Sequence, residues 1–201
     1  MSDELPPRTL SGYSQPNTTN SLPALLMLDI DGVLSPFTQE FSGHAGDPIK
    51  FISMVCLGYL NEWLDQHQPF SENIVLSSSW RNNPGFDVTV DVLTKAGLRG
   101  KVVGATPYWE TLRAPTGWGS SYETRECSRP EAIWKYLDNL QTKPDHLLVL
   151  DDIIEMTPLG RYHLATSPYA GLKHKQLQRM TELSKVPYVH NPNPKKFGDR
   201  T

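Results

Sequence analysis

Apolar residues along this chain come in short unbroken runs that stop at acids or hydroxyls. Ala24-Leu25-Leu26-Met27-Leu28 stops at Asp29, Asn73-Ile74-Val75-Leu76 at Ser77-Ser78-Ser79, and His146-Leu147-Leu148-Val149-Leu150 at Asp151-Asp152. A strand covered on both faces is apolar at successive positions, whereas one with a wet face alternates. The runs therefore predict buried parallel strands whose carboxyl ends carry the polar groups. Between them the period changes. Apolar positions are dense from Phe51 to Trp63, and Leu57, Leu60 and Leu64 fall at helical spacing, which predicts a helix up to about His67 that Pro69 ends. After the loop Asn83-Pro84-Gly85, the pattern over Val88 to Ala96 predicts a helix closed by Gly97.

The remaining signals are shorter. Lys101-Val102-Val103-Gly104 predicts a weaker strand, Tyr162 to Ala165 another, and Lys173 to Ser184 a last helix. Ser128-Arg129-Pro130-Glu131 has the Ser-x-x-Glu form of a capping box and opens a helix to Leu140. Thr106 to Cys127 carries Pro, Gly, Trp and Tyr without a period, which predicts a long surface loop of the kind that borders a site. Alternating strands and helices give the fold class: α/β, a mostly parallel sheet with helices on both faces. Ligands of such sheets bind outside the carboxyl ends of the strands, where the three polar clusters meet.

Length and composition narrow this further. The 201 residues fit one domain, and 38% hydrophobic with 20% charged residues marks a globular chain. Residues 1–22, rich in Ser, Thr, Asn and Pro, are expected to be a flexible tail, 23–186 the domain and 187–201 a polar tail. A net charge of -3 argues against a protein that grips nucleic acid through a broad basic field, although a local basic groove would not register in the sum. Cys56 and Cys127 have neither the CxxC spacing nor the His companions that would suggest zinc, and two such cysteines fit a reducing compartment. No apolar run approaches the ~20 residues needed to cross a bilayer, and the start of the chain has no secretory pattern, so a cytoplasmic location is expected. The absence of GxxxxGK[ST] sets aside a P-loop kinase.

The candidate chemistry lies at the strand ends. Asp29 and Asp31 are two apart, and on an extended backbone they point to the same side. Asp151 and Asp152 would add further oxygens, and four carboxylates brought together suit Mg²⁺, a hard cation that prefers oxygen. Gly32 allows a tight turn whose N–H groups can approach a phosphate, and Ser78, with Ser77 or Ser79 as its alternative, offers a hydroxyl to the phosphoryl oxygens. Taken singly, each feature has an ordinary reading: a loop-and-cap Asp-x-Asp, a helix N-cap, a serine turn. Their recurrence at three strand ends is what points to a site.

The residues Leu28-Asp29-Ile30-Asp31-Gly32-Val33-Leu34 resemble motif I of the haloacid dehalogenase-like (HAD) superfamily. Ile74 to Ser78 resembles its motif II, Leu147 to Asp152 its motif IV, and Arg129 is the best match to the motif III cation. Ser78-Ser79-Trp80-Arg81, Arg129 with Glu131, and Gly171-Leu172 before a final helix are similar to the HAD domains of RNA repair proteins, over roughly Pro23 to Ser184. The resemblance implies a Rossmann-like sheet with a minimal cap and a Mg²⁺-dependent phosphatase. In it Asp29 is the nucleophile and Asp31 the acid and base. Asp29, Asp31 through its carbonyl, and Asp151 or Asp152 hold the metal, while Ser78 or Ser79, Gly32 and Arg129 hold the phosphate.

The expected substrate is a phosphorylated one, the end of a nucleic acid or a nucleotide, with no membrane partner. The segment Ser35 to Lys50 is sized for a flap, smaller than the ~50 residues of a separate domain, and an open entrance admits a polymer end. Arg81 and Lys101 are then candidates to meet neighbouring phosphates, and Trp80 to stack on a base. Core packing is the plainer reading of Trp80, and a rim ion pair that of Arg81. Three other functions compete: a module that binds phosphorylated ends without turnover, a phosphotransferase or mutase that passes the phosphoryl group to an acceptor other than water, and a phosphatase of small metabolites such as nucleotides or sugar phosphates. The presence of both Asp29 and Asp31 favours an enzyme.

Overall fold

The structure, a computed structural model, describes residues 22–37, 48–112 and 123–191. Its centre is β1 (Ala24–Leu28), every residue of which is buried. β2 (Ile74–Leu76), β3 (Val102–Ala105), β6 (His146–Asp151) and β7 (His163–Ala165) complete a five-stranded sheet in the order β3-β2-β1-β6-β7. Every pairing in it is parallel. The chain winds from β1 out to β3 on one side and returns to β6 on the other, so the strand order reverses between β1 and β6.

Alternate residues of each strand face opposite layers. Leu26, Leu28, Ile74, Leu76, Leu148 and Leu150 turn to one face, against α1 (Met54–Gln66), α3 (Phe86–Lys95) and α5 (Leu177–Ser184). Leu25, Met27, Val75, Leu147 and Val149 turn to the other, against α4 (Arg129–Asn139) and the segment through Met156, Leu159 and Tyr162. This two-sided burial is why the strands read as unbroken apolar runs. Each fully buried Leu contributes roughly 1.5–3 kcal/mol, so a charge at any position of a run would destabilise the layer that position faces.

The helices begin and end for identifiable reasons. Ser53 caps α1 by accepting from the Cys56 N–H at 3.3 Å, and its own N–H donates to the Leu34 carbonyl, tying the helix to the turn that follows β1. The Trp63 indole donates to Thr181 Oγ1 at 3.1 Å and fastens α1 to α5. α1 stops at Gln66, ahead of Pro69. That proline lies in the first turn of a further short helix, α2 (Gln68–Ser71), where its missing N–H has no helical partner to lose.

Two expectations are corrected. The segment after Thr106 is not all loop, because β4 (Trp109–Leu112) and β5 (Glu123–Glu126) pair antiparallel. Their sequences, Trp-Glu-Thr-Leu and Glu-Thr-Arg-Glu, are too polar for a core-facing alternation to register, although Thr and Trp suit strands. The Ser128 capping box is the second. Ser128 is the N-cap of α4 but makes no side-chain cap bond, and Glu131 is buried beside Lys135, 3.2 Å away. The flap expected within 35–50 falls largely at 38–47, outside the described residues. Among the described residues no helix is long and apolar enough to cross a membrane, and Cys56 and Cys127 are buried and form no disulfide.

Candidate metal and phosphate site

The register of the sheet brings the three polar clusters together. Leu28 lies level with Leu76 on β2 and with Leu150 on β6. One residue further on, the ladder continues: the Asp29 N–H donates to the Leu150 carbonyl at 2.9 Å, and the Ser77 N–H to the Leu28 carbonyl at 2.8 Å. Asp29 therefore stands between Ser77 and Asp151 at the carboxyl edge, where the strand order reverses. The chain then turns sharply, with the Leu34 and Ser35 N–H groups both donating to the Ile30 carbonyl at 2.8 Å. Gly32 makes the turn at φ 69°, and a Cβ there would run into the Asp152 carboxylate. Only glycine lets the acid after β6 close on this turn. Thr166, just past β7, donates from Oγ1 to the Gly32 carbonyl at 2.7 Å and holds the turn from the other side.

Carboxylate oxygens of Asp29, Asp151 and Asp152 lie within 4.8 Å of one another. Asp29 is 1% exposed and Asp151 0%. Burial pushes the Asp29 carboxyl up to about 6, opposed chiefly by Arg129 and then by hydrogen bonds from Ser78 and the Ile30 N–H. Burial likewise pushes Asp151 up to about 7, with Arg129 opposing and Asp29 adding to the rise. Asp152 is raised for the same first reason. Arg129, first residue of α4, sets its Nη1 3.1 Å from Asp29 Oδ1 and 3.4 Å from Asp151 Oδ2. Neither contact is aligned as a hydrogen bond, so Arg129 Nη1 and Asp151 Oδ2 remain buried polar atoms without one. A single guanidinium facing three carboxylates leaves negative charge in excess. An all-oxygen set with an unbonded buried carboxylate oxygen fits Mg²⁺ by the chemistry of its donors, and the unbonded N–H of Arg129 fits an anion beside it.

The other predicted residues divide between the site and its frame. Ser78 is buried, hydrogen-bonds Asp29, and accepts from the Trp80 N–H at 3.4 Å as cap of the 3-10 turn Ser79–Arg81. The Ser77 hydroxyl is buried without a hydrogen bond. Ser79 is exposed and donates to Asp31 Oδ2 at 3.1 Å, while the Trp80 indole donates to Asp31 Oδ1 at 2.9 Å. Asp31 is thus no member of the three-carboxylate group; only its backbone carbonyl remains for a metal. Arg81 is 6% exposed, donates to the Ser78 and Pro107 carbonyls, and lies 5.1 Å from the Tyr108 ring centre. It braces the serine turn rather than reaching outward. Lys101 precedes β3 and so lies at the amino edge of the parallel sheet, opposite the acids, which removes it as a phosphate contact. Sequence reasoning missed Thr166 and the indole bond to Asp31. The adjacency of Trp80 to the serine run was the one signal for the latter.

A parallel sheet that reverses its order beside β1, with an Asp-x-Asp turn on β1 and paired acids on the neighbouring strand, defines a HAD-like domain. Residues 25–177 match the model of the family described as the HAD domain in Swiss Army Knife RNA repair proteins. The chain belongs to that family; HAD domains are usually phosphohydrolases. No curated protein and no solved structure matches the chain.

Proposed function

We propose that the chain is a Mg²⁺-dependent phosphomonoesterase that acts through an aspartyl-phosphate on Asp29, with the terminal phosphate of a nucleic acid as substrate. The observation that carries the reading is the buried charge around Asp29: one guanidinium, Arg129, faces three carboxylates, and neither its Nη1 nor Asp151 Oδ2 has a hydrogen bond. The excess negative charge asks for a cation, and the Arg129 N–H has room in its bonding for a phosphoryl oxygen. Asp29, Asp151 and Asp152, with the Asp31 carbonyl, would hold Mg²⁺, whose chemistry when bound is to screen the approach of an anionic phosphate to an anionic carboxylate. The Asp29 carboxylate forms an O–P bond as the ester O–P bond breaks, and Asp31 gives its proton to the departing oxygen. A water then gives a proton to Asp31 while its oxygen bonds phosphorus, and the electron pair returns to Asp29. Arg129 and the Ser78 hydroxyl hold the phosphoryl oxygens through both steps.

Membership of a family named for RNA repair supports a nucleic-acid end as substrate. A module that binds ends without turnover would have no use for Asp31 held from two sides, and this favours the enzyme. The test compares kcat/KM on a 3′-phosphorylated oligonucleotide, a 5′-phosphorylated one, the matching mononucleotides and sugar phosphates, with Mg²⁺ and after chelation. An oligonucleotide is expected to be preferred, with activity lost on chelation and restored by Mg²⁺. Preference for a mononucleotide or sugar phosphate would replace the repair reading with a metabolic one, and full activity after exhaustive chelation would refute the metal site.

A further inference from the structure

Asp31 is held in an unsymmetrical way. Oδ1 accepts from the Trp80 indole at 2.9 Å on the more buried side, and Oδ2 accepts from Ser79 Oγ at 3.1 Å on the exposed side. An indole N–H can only donate, whereas a serine hydroxyl can donate or accept. The indole therefore fixes Oδ1 as an acceptor. At Oδ2 the neighbouring hydroxyl can turn to accept from a protonated oxygen and donate to an ionised one.

Trp80 is itself held at its backbone and at its ring. Its N–H donates to Ser78 Oγ, and its carbonyl accepts from the Thr89 hydroxyl at 2.9 Å and the Gly85 N–H at 3.0 Å. Its ring meets Phe51 edge-on, with ring centres 6.5 Å apart. A donor locked in this way prevents rotation of the carboxylate it holds.

We infer that Trp80 is a positioning residue for the acid and base Asp31, and that Oδ2, on the Ser79 side, is the oxygen that carries the transferred proton. This rests on the phosphatase reading above. In the first step the Oδ2–H bond breaks as the departing ester oxygen takes the proton together with the electron pair of its bond to phosphorus. In the second a water O–H bond breaks, and Oδ2 takes that proton while the oxygen bonds phosphorus. Without the indole the carboxyl group can rotate, and the proton is presented to the departing oxygen less often. A departing group that needs no proton is insensitive to that loss.

Trp80→Phe removes the donor and keeps an aromatic ring against Phe51. We expect it to lower the ratio of kcat on an alkyl phosphate to kcat on 4-nitrophenyl phosphate by about tenfold or more, part of the ~10²–10⁴ that general acid–base catalysis supplies. The gain in Tm on adding Mg²⁺ should persist. Combining it with Ser79→Ala should bring the leaving-group dependence close to that of Asp31→Asn. The 201 residues include 5 Trp, and Trp80→Phe assigns the Trp80 indole signal in a ¹⁵N–¹H spectrum of protein without metal or substrate. Asp31→Asn should move that signal and leave the other indoles in place. An equal fall of kcat on both substrates, or an unchanged ratio, overturns the inference while the phosphatase reading stands, and so does an indole signal indifferent to Asp31→Asn. Wild-type protein that turns over no phosphomonoester refutes the reading underneath, and the inference with it.

Discussion

Replacing Asp151 by Asn should make the metal-free protein more stable above neutral pH and abolish its response to Mg²⁺. Asp151 is fully buried, and burial raises its carboxyl from 3.8 to about 7 against the pull of Arg129. In the unfolded chain the group titrates near ~3.9. Between those two values the folded protein holds a proton that the unfolded chain has released, so stability falls as pH rises through the window. Below about 4 no penalty applies, and above about 7 it is complete. Each pKa unit corresponds to ~1.4 kcal/mol, which puts the penalty on the order of 4 kcal/mol. Asp29 shares Arg129 with Asp151 and each raises the other, so their shifts do not add. About 1 kcal/mol of the penalty is already present at pH 4.5, where the unfolded group is largely ionised, so at ~2–4 °C per kcal/mol for a chain of this size, Tm of Asp151→Asn minus Tm of wild type in EDTA should rise by roughly 6–13 °C between pH 4.5 and pH 8. Mg²⁺ at about 100 times its Kd should give wild type ~2.7 kcal/mol at pH 8 and the variant little. Thermal melts of both proteins, with EDTA and with Mg²⁺ at four or five pH values, measure all of this. Parallel Tm curves across the range, or an equal gain from Mg²⁺ in both proteins, would refute the argument.

Asp29→Asn should abolish phosphatase turnover and leave Tm in EDTA at or above that of wild type, as read by activity assay and thermal melt; near wild-type turnover in protein free of contaminating phosphatase would sink the covalent mechanism. Gly32→Ala combines a left-handed backbone, at ~1–2 kcal/mol, with a Cβ driven into the Asp152 carboxylate. It should therefore reduce the Mg²⁺-dependent gain in Tm as well as lowering Tm itself, and a drop in Tm with the gain intact would show that Asp152 is not a ligand. Arg129→Met leaves two buried carboxylates without their cation, so in EDTA at pH 8 it should destabilise by about 3 kcal/mol or more. That loss should shrink towards pH 4.5, where the carboxyls are protonated, and denaturant unfolding at the two pH values checks it.

The sheet was legible because its burial is uniform. A strand such as Ala24–Leu28, covered on both faces, has no polar position to blur the run, and its polar terminus marks where the strand stops. The β4–β5 pair was not legible, since it contributes no strand to the five-stranded sheet and its residues are largely polar. Ser128 illustrates a different limit. Pattern located the cap position correctly, but the Glu expected to close the box is turned inward to Lys135, a choice made by packing and not by neighbours in sequence.

The same distinction runs through the site. Asp29, Asp151 and Asp152 could be grouped in advance because parallel register alone brings strand ends together, and no side-chain detail is needed. Arg129 also reaches the group from a helix start, where a cation near a carboxyl strand edge has little choice of partner. Asp31 differs, since its place depends on rotamers: two residues beyond Asp29 on the same turn, it could have joined the acidic group or turned away. The structure turns it to Ser79 and Trp80, and both partners come from the 3-10 turn capped by Ser78, which itself bonds Asp29. One short turn after β2 therefore supplies a hydroxyl to a carboxylate of the acidic group and two donors to the carboxylate outside it. Separating the two acids in this way leaves Asp29 among the three buried carboxylates and holds Asp31 apart from them, a difference that identical residues two positions apart cannot express in sequence.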